Sequence, residues 1–262
     1  MIDEKDPNLI RYIQENILVD RPALFYKFRK VNGEGLEQII KHQTLRFANP
    51  FGWNDPWDGH VMVDTTNTRA EITRWARSYT AGLTRPRARE FARKILKDPT
   101  GFHQVVNETA REQMEYQGLC CFTSGWEYVL QWAYYADGHK GVALGFDWRE
   151  DIPLFSMTMK VKYLDVYPRV NYIRDPFACL SNLLLAKSQE WQHENEVRVW
   201  HSPPGNKPFQ PSALKEITFG ARCPVAHMKL VKGWCKEAGL TGVKFFRAFP
   251  KPWMYKLDRA PI

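Results

Sequence analysis

The chain has 262 residues, 44% of them hydrophobic and 25% charged, which excludes intrinsic disorder for most of its length and leaves room for a sizeable core. Its net charge of +8 favours acidic partners such as nucleic acid or phosphorylated ligands. No apolar run reaches the roughly 20 residues of a membrane span, and the charged start from Met1 to Pro7 is unlike a signal peptide, so a cytoplasmic protein without membrane contact is expected.

Leu9, Ile10, Ile13 and Ile17 have the spacing of a short helix. A strand over 24–28, a helix over 35–41 and a short strand over 45–47 follow. The stretch Asn54-Asp-Pro-Trp-Asp-Gly-His60 is turn-rich. Asn54, Asp55 and Asp58 either cap local amides or face a cleft and hold a ligand.

The charge is concentrated between Arg69 and Lys97, which carry +7 of the net +8. Ile72, Trp75, Ala76 and Tyr79 repeat with helical period, and so do Ala88, Phe91, Ala92, Ile95 and Leu96 after Pro86. With a third helix over 105–117 they predict a helical insert, 66–118, with an apolar stripe and a basic outer face. That face is either simply solvated or binds the phosphates of nucleic acid or a dinucleotide. No aromatic residue interleaves the basic ones there, so a single-strand stacking platform is not expected in this segment.

After the insert, strands are predicted at 119–123, 142–146, 159–163, 194–201, 217–219 and 243–246, and helices at 126–137, 180–193 and 228–238. The mixture lacks a regular βαβ repeat, a GxGxxG and a P-loop. A single α+β domain over 1–262, with a mixed or antiparallel sheet and the basic insert within it, is the expected fold. The five cysteines, with no CxxC pair, read as reduced thiols and not as a disulfide framework or zinc site.

Three constellations bear chemistry. Lys187 shares a predicted helix face with Leu180, Leu184 and Trp191, an expensive place for a charge unless it is paired. Glu194, Glu196 and Arg198 alternate along a strand and are expected on one side of it. Such carboxylates orient a sugar hydroxyl, steady an oxocarbenium-like centre, bind a metal, or form a structural ion-pair network. The turn at 54–58 is the second constellation. The third is Ser124, after Cys121-Phe-Thr, with Trp132 and Tyr135 on one helix face and His139 between two glycines; core packing and a turn role are the plain alternatives. The first two, the Glu194/Glu196 strand with Lys187 and the turn at 54–58, are expected to converge on one cleft.

In order, Tyr26-Lys-Phe28, Asn54-Asp-Pro-Trp-Asp58, Cys121-Phe-Thr-Ser124, Trp132 to Gly141, Lys187 to Arg198 and Phe219-Gly-Ala-Arg222 resemble a bacterial family of unknown function often found near phage-defence genes. The order of a basic strand, a Ser-bearing strand and a Glu-x-Glu strand is also similar to that of ADP-ribosyltransferases. That second resemblance implies an ADP-ribosyltransferase-like fold, NAD as substrate and a toxin-like antiviral role. Tyr26, Lys27, Arg29, Asn54, Asp55, Ser124, Trp132, Tyr135, His139 and Arg198 would then line the NAD site. Lys27 or Arg29 would hold the phosphates, Glu196 would steady the ribose cation, and Glu194 and Lys187 would complete the catalytic set. The target would be nucleic acid or another phosphate-rich molecule. Two other readings stand beside it: a Mg²⁺-dependent nuclease using Asp55, Asp58, Glu194 and Glu196, and a non-catalytic ligand sensor with the same pocket.

Overall fold

A computed structural model describes residues 7–53 and 55–262. It shows a mixed α and β chain in two compact units, each assembled from separated segments. Unit one gathers Asn49–Gln117, Lys162–Gln189 and the N-terminal segment through Asn16; unit two gathers Ile17–Ala48, Gly118–Val161 and Glu190–Ile262.

In unit one, helices Arg69–Tyr79, Arg85–Lys97 and Pro99–Glu115 occupy the stretch over which three helices are predicted. Thr68 starts the first with a capping box to Glu71, and Pro86 sits in the first turn of the second. Ile72, Ala88, Ala92 and Ile95 are buried, whereas Phe91 and Leu96, expected in the same stripe, are partly exposed, at 37% and 45%. Helix Pro99–Glu115 packs on helix Pro176–Leu185, a pairing no local pattern announces.

Unit two is built on an eight-stranded sheet. Its order is Leu257–Pro261, Lys244–Pro250, Leu214–Phe219, Val142–Phe146, Phe25–Arg29, Gly118–Thr123, Glu196–His201 and Thr158–Lys160. All neighbours are antiparallel except Leu214–Phe219 with Lys244–Pro250. One face carries Phe25, Phe122, Leu144, Phe146, Val197, Val199, Ile217 and Phe219 in a single apolar core, to which Ile39 and Ile40 of helix Glu34–His42 and Val231 of helix Val225–Glu237 also belong. The other face carries Tyr26, Phe28 and Ala143 against Trp132 and Ala136, which come from and follow the short helix Val129–Tyr135.

Two predicted elements differ. The helix expected over 180–193 stops at Leu185; Ala186–Ser188 is a strand parallel to Lys162–Leu164, and Gln189–Glu194 is a 3-10 turn. From Gln189 to Glu194 only Trp191 is apolar, so no stripe extends the helix. The strand expected over 159–163 is split between Thr158–Lys160 and Lys162–Leu164, which join different sheets. Gly205–Pro208, which pairs with Thr44–Phe47, and the terminal strand Leu257–Pro261 were not expected.

The end of helix Val129–Tyr135 is fastened to the sheet by a chain of backbone bonds. His139 N donates to the Trp132 carbonyl, Gly141 N to Ala136, Gly220 N to Gly141 and Arg222 N to His139, at 2.8–3.1 Å. Asp137, Gly138 and His139 are all in the left-handed region. A Cβ at Gly141 would lie 2.2 Å from the Arg29 carbonyl oxygen and 2.9 Å from Ala136 Cα. Both are backbone atoms, so Gly141→Ala is expected to cost at least about 2 kcal/mol and lower the melting temperature by roughly 4 °C or more. A thermal melt that matches the parent would show that this corner yields.

Candidate functional site

The richest polar cluster lies in unit two at the start of strand Glu196–His201. Glu196 and Arg198 are two residues apart on a strand and therefore share a side. Arg198 Nε donates to Glu196 Oε1 at 2.8 Å, with the two residues 0% and 5% exposed. Thr123 and Cys121 stand opposite them on the neighbouring strand. The Cys121 thiol hydrogen-bonds Glu196; burial first, and then the carboxylate, push it well above the usual thiol range, so it is held neutral.

Glu194 was expected on the same strand face, but it ends the 3-10 turn, and Asn195 follows with φ 44° and breaks the alternation. Its carboxylate is nonetheless fixed: Tyr135 Oη donates to Glu194 Oε1 at 2.7 Å. Its carbonyl accepts from Thr123 Oγ1 at 2.8 Å and Gln131 Nε2 at 3.3 Å. Helix Val129–Tyr135 and strand Gly118–Thr123 thus clamp the entry to the Glu196 strand. Beside them, the Ser124 and Tyr128 hydroxyls lie 3.0 Å apart, and Tyr134, Trp191 and His193 form a loose aromatic group with ring centres 6.0–6.5 Å apart.

Cross-strand register extends this polar row. Glu196 faces Thr123, Thr123 faces Tyr26, Tyr26 faces Gly145 and Gly145 faces Glu216, so five strands place these residues on one side of the sheet. Because residue 145 is glycine, Tyr26 reaches across it, and its hydroxyl donates to Glu216 Oε1 at 2.8 Å. Arg259 pairs with the same carboxylate, donates to Thr218 Oγ1 at 2.8 Å and lies over the rings of Trp126 and Phe246. Burial and the Glu216 charge raise the Tyr26 phenol, so it stays protonated. Glu216, Thr218 and Arg259 escaped the sequence reading. The alternation Glu216, Ile217, Thr218, Phe219 was the available signal for the first two.

Lys27 and Arg29 are not on this side. They alternate with Tyr26 and Phe28 and share a face with Phe25, in the apolar core. Lys27 is 6% exposed, lies over the Phe122 ring and donates from Nζ to the Cys121 carbonyl at 2.7 Å, beyond the single Tyr26–Thr123 pair that joins the two strands. Burial lowers its pKa. Arg29 Nη1 donates to the Phe28 carbonyl at 3.1 Å, and its Nε would lie 3.6 Å from a Cβ at Gly35. Both basic groups lie on the core side of the sheet, away from Glu196, so a phosphate-holding role for either beside Glu196 is corrected by the strand's own period.

Trp132 is fully buried. Its indole donates to the Trp126 carbonyl at 2.6 Å and its ring meets Phe28 edge-on, so it locks the helix to the sheet. His139 stacks on Trp132 at 6.2 Å, and its pKa is lowered by burial and then by Arg222. It holds a turn, as the plainer reading had it.

The remaining expected site residues belong to unit one. Lys187 is half-buried on strand Ala186–Ser188, opposite Tyr163, and not in a helix stripe. Asp55 is buried; its Oδ1 accepts from Trp57 N at 2.9 Å and its carbonyl from Asp58 N at 3.2 Å, the geometry of a local cap. Asn54 lies outside the described residues. Among the described residues no three His, Cys, Asp or Glu side chains are grouped as metal ligands, and no helix is long and apolar enough to cross a membrane.

A family model described as a protein of unknown function (DUF2971) matches residues 131–199. That span opens beside Trp132, includes the Gly138–Gly141 corner and closes after Glu194, Glu196 and Arg198, but leaves out strand Gly118–Thr123. No curated protein and no solved structure matches the chain.

Proposed function

We propose that the chain is an NAD-dependent ADP-ribosyltransferase-like effector acting on nucleic acid or another phosphate-rich target in phage defence, with its chemistry at Glu196. The observation that carries this reading is a carboxylate, Glu196, held at a fixed orientation by Arg198, next to a second, Glu194, that Tyr135 and Thr123 fix from a helix and the neighbouring strand. A preorganised anion of this kind stabilises positive charge that develops at a ribose carbon. In the step, the bond from the ribose C1′ to the nicotinamide nitrogen breaks and nicotinamide leaves with the electron pair. The acceptor's oxygen or nitrogen then bonds to C1′ and yields its proton to Glu194, which is held by Tyr135. Ser124 with Tyr128, and the aromatic group of Tyr134, Trp191 and His193, offer hydroxyls and ring faces for the dinucleotide. Phosphate contacts fall to residues other than Lys27 and Arg29. Release of nicotinamide from NAD, measured with and without added oligonucleotide, tests the proposal; binding of NAD without turnover would favour a sensor. EDTA-sensitive cleavage of nucleic acid would instead favour the nuclease reading that uses Asp55, Asp58, Glu194 and Glu196.

The basic insert is proposed as the target-binding face. Arg87, Arg89, Arg93 and Lys94 are exposed along helix Arg85–Lys97, around the buried Ala88, Ala92 and Ile95. Replacing all four with Gln is expected to leave the fold intact and to reduce the slope of log affinity against log salt by about 3, one phosphate contact being worth about 0.9 on duplex DNA. Lys94 already pairs with Glu90 at 3.5 Å, which is why fewer than four contacts are expected. An unchanged slope would mean that these helices are only solvated.

A further inference from the structure

The hairpin at the edge of the unit-two sheet ends in a closed tip. Pro250 faces Leu257, Lys251 N donates to the Lys256 carbonyl at 2.8 Å, and Met254 N donates to the Lys251 carbonyl at 3.3 Å. Within this turn Trp253 has φ 63°, a left-handed conformation that a bulky side chain adopts only when its surroundings impose it. The tip nevertheless places its rings in water: Trp253 is 103% exposed and Tyr255 104%. One exposed apolar residue is ordinary, but two fully exposed aromatic rings held on one strained turn are not.

Charge identifies the partner. Lys251 and Lys256 flank the rings, both exposed and, among the described residues, without an ion pair. The next carboxylate, Asp258, turns back to accept from Arg259 N at 2.8 Å, and Arg259 is engaged by Glu216. Rings bracketed by ammonium groups match a polyanion with exposed π faces. A lipid surface would ask for a continuous apolar wedge, whereas Met254 is the only long aliphatic side chain between Lys251 and Lys256.

We propose that residues 251–256 form a stacking element for single-stranded nucleic acid: Trp253 and Tyr255 receive unpaired bases on their faces, and Lys251 and Lys256 meet the adjoining phosphates. Recognition of this kind tolerates any sequence, because every base has a π face. The segment Arg69–Lys97 has charge without rings in its basic face, whereas this tip has rings with charge. The inference stands whether or not the chain transfers ADP-ribose.

The test uses the full chain and fluorescence anisotropy with a labelled oligothymidylate, its duplex with oligoadenylate, and phosphatidylserine vesicles in a separate sedimentation arm. The parent is expected to bind the single strand more tightly than the duplex. Trp253→Ala and Tyr255→Ala should each weaken single-strand binding by about 5- to 100-fold, and together they should abolish the preference over duplex. Trp253→Phe with Tyr255→Phe should retain most of it. Lys251→Gln with Lys256→Gln should flatten the salt slope by about 1.4, at 0.7 for each single-strand contact. All variants should melt like the parent, since both rings are fully exposed. A parent without strand preference, or a double Ala variant that keeps it, overturns the proposal. So does a double Ala variant that loses vesicle binding alone, which would assign the tip to membranes.

Discussion

Glu196→Gln is expected to reduce nicotinamide release from NAD by about 10²–10⁴-fold, the usual contribution of one positioned carboxylate. Gln keeps the size of the side chain and an oxygen that can accept from Arg198, so the fold should persist with a lower melting temperature. The loss should fall on kcat more than on KM, because the negative charge matters when the ribose carries positive charge and not before. Wild-type turnover in the folded variant would remove Glu196 from the chemistry. Collapse of the fold with no active fraction would make Glu196 a structural ion and nothing more.

Arg198→Met should have the largest effect on stability. The substitution leaves the Glu196 carboxylate buried without its guanidinium, and breaking a buried pair from one side typically costs about 3–5 kcal/mol. For a chain of this size that corresponds to a fall of roughly 6–20 °C in melting temperature. Adding Glu196→Leu to Arg198→Met removes both charges, and the double variant should recover much of the loss. It should also be inactive, and this separates the two roles of the pair: stability returns while turnover does not. A single Arg198→Met variant as stable as the parent would mean that water reaches the carboxylate.

Much of the framework was legible because local pattern and burial agree. Val142, Leu144 and Phe146 alternate and lie in the core as read, and Ile72, Ala88, Ala92 and Ile95 mark the buried side of the basic helices. The Glu196–Arg198 pair was legible too, since two residues apart on a strand means one side. What failed depended on partners distant in sequence. Lys187 reads as part of a helix until residues 162–164 offer a strand to pair with. The resemblance to ADP-ribosyltransferases sets Lys27 and Arg29 in one site with Tyr26, yet residues one and three positions along a strand from Tyr26 lie on its opposite face. Asn195 shifts the period by taking a left-handed backbone, which its residue type permits but does not dictate. Arg259 reaches Glu216 over 43 positions, and no spacing rule covers that. The buried pair is therefore legible in the sequence, whereas the far end of the polar row at Arg259 is not.

The chain passes between its two units five times, after Asn16, Ala48, Gln117, Val161 and Gln189. No single cut releases either unit whole. Excising residues 66–118 would strip helix Pro99–Glu115 of the helix Pro176–Leu185 that it packs against, so the basic helices are poor candidates for expression as a separate fragment. The same interlacing burdens synthesis. Strand Phe25–Arg29 emerges early, but Gly118–Thr123 and Val142–Phe146, the strands on either side of it, follow about a hundred residues later. Until then its apolar side chains have no sheet to enter, and folding governed by such remote pairings is slow and exposed to aggregation. A nascent chain of this kind is one for which refolding yield from denaturant should fall steeply with protein concentration.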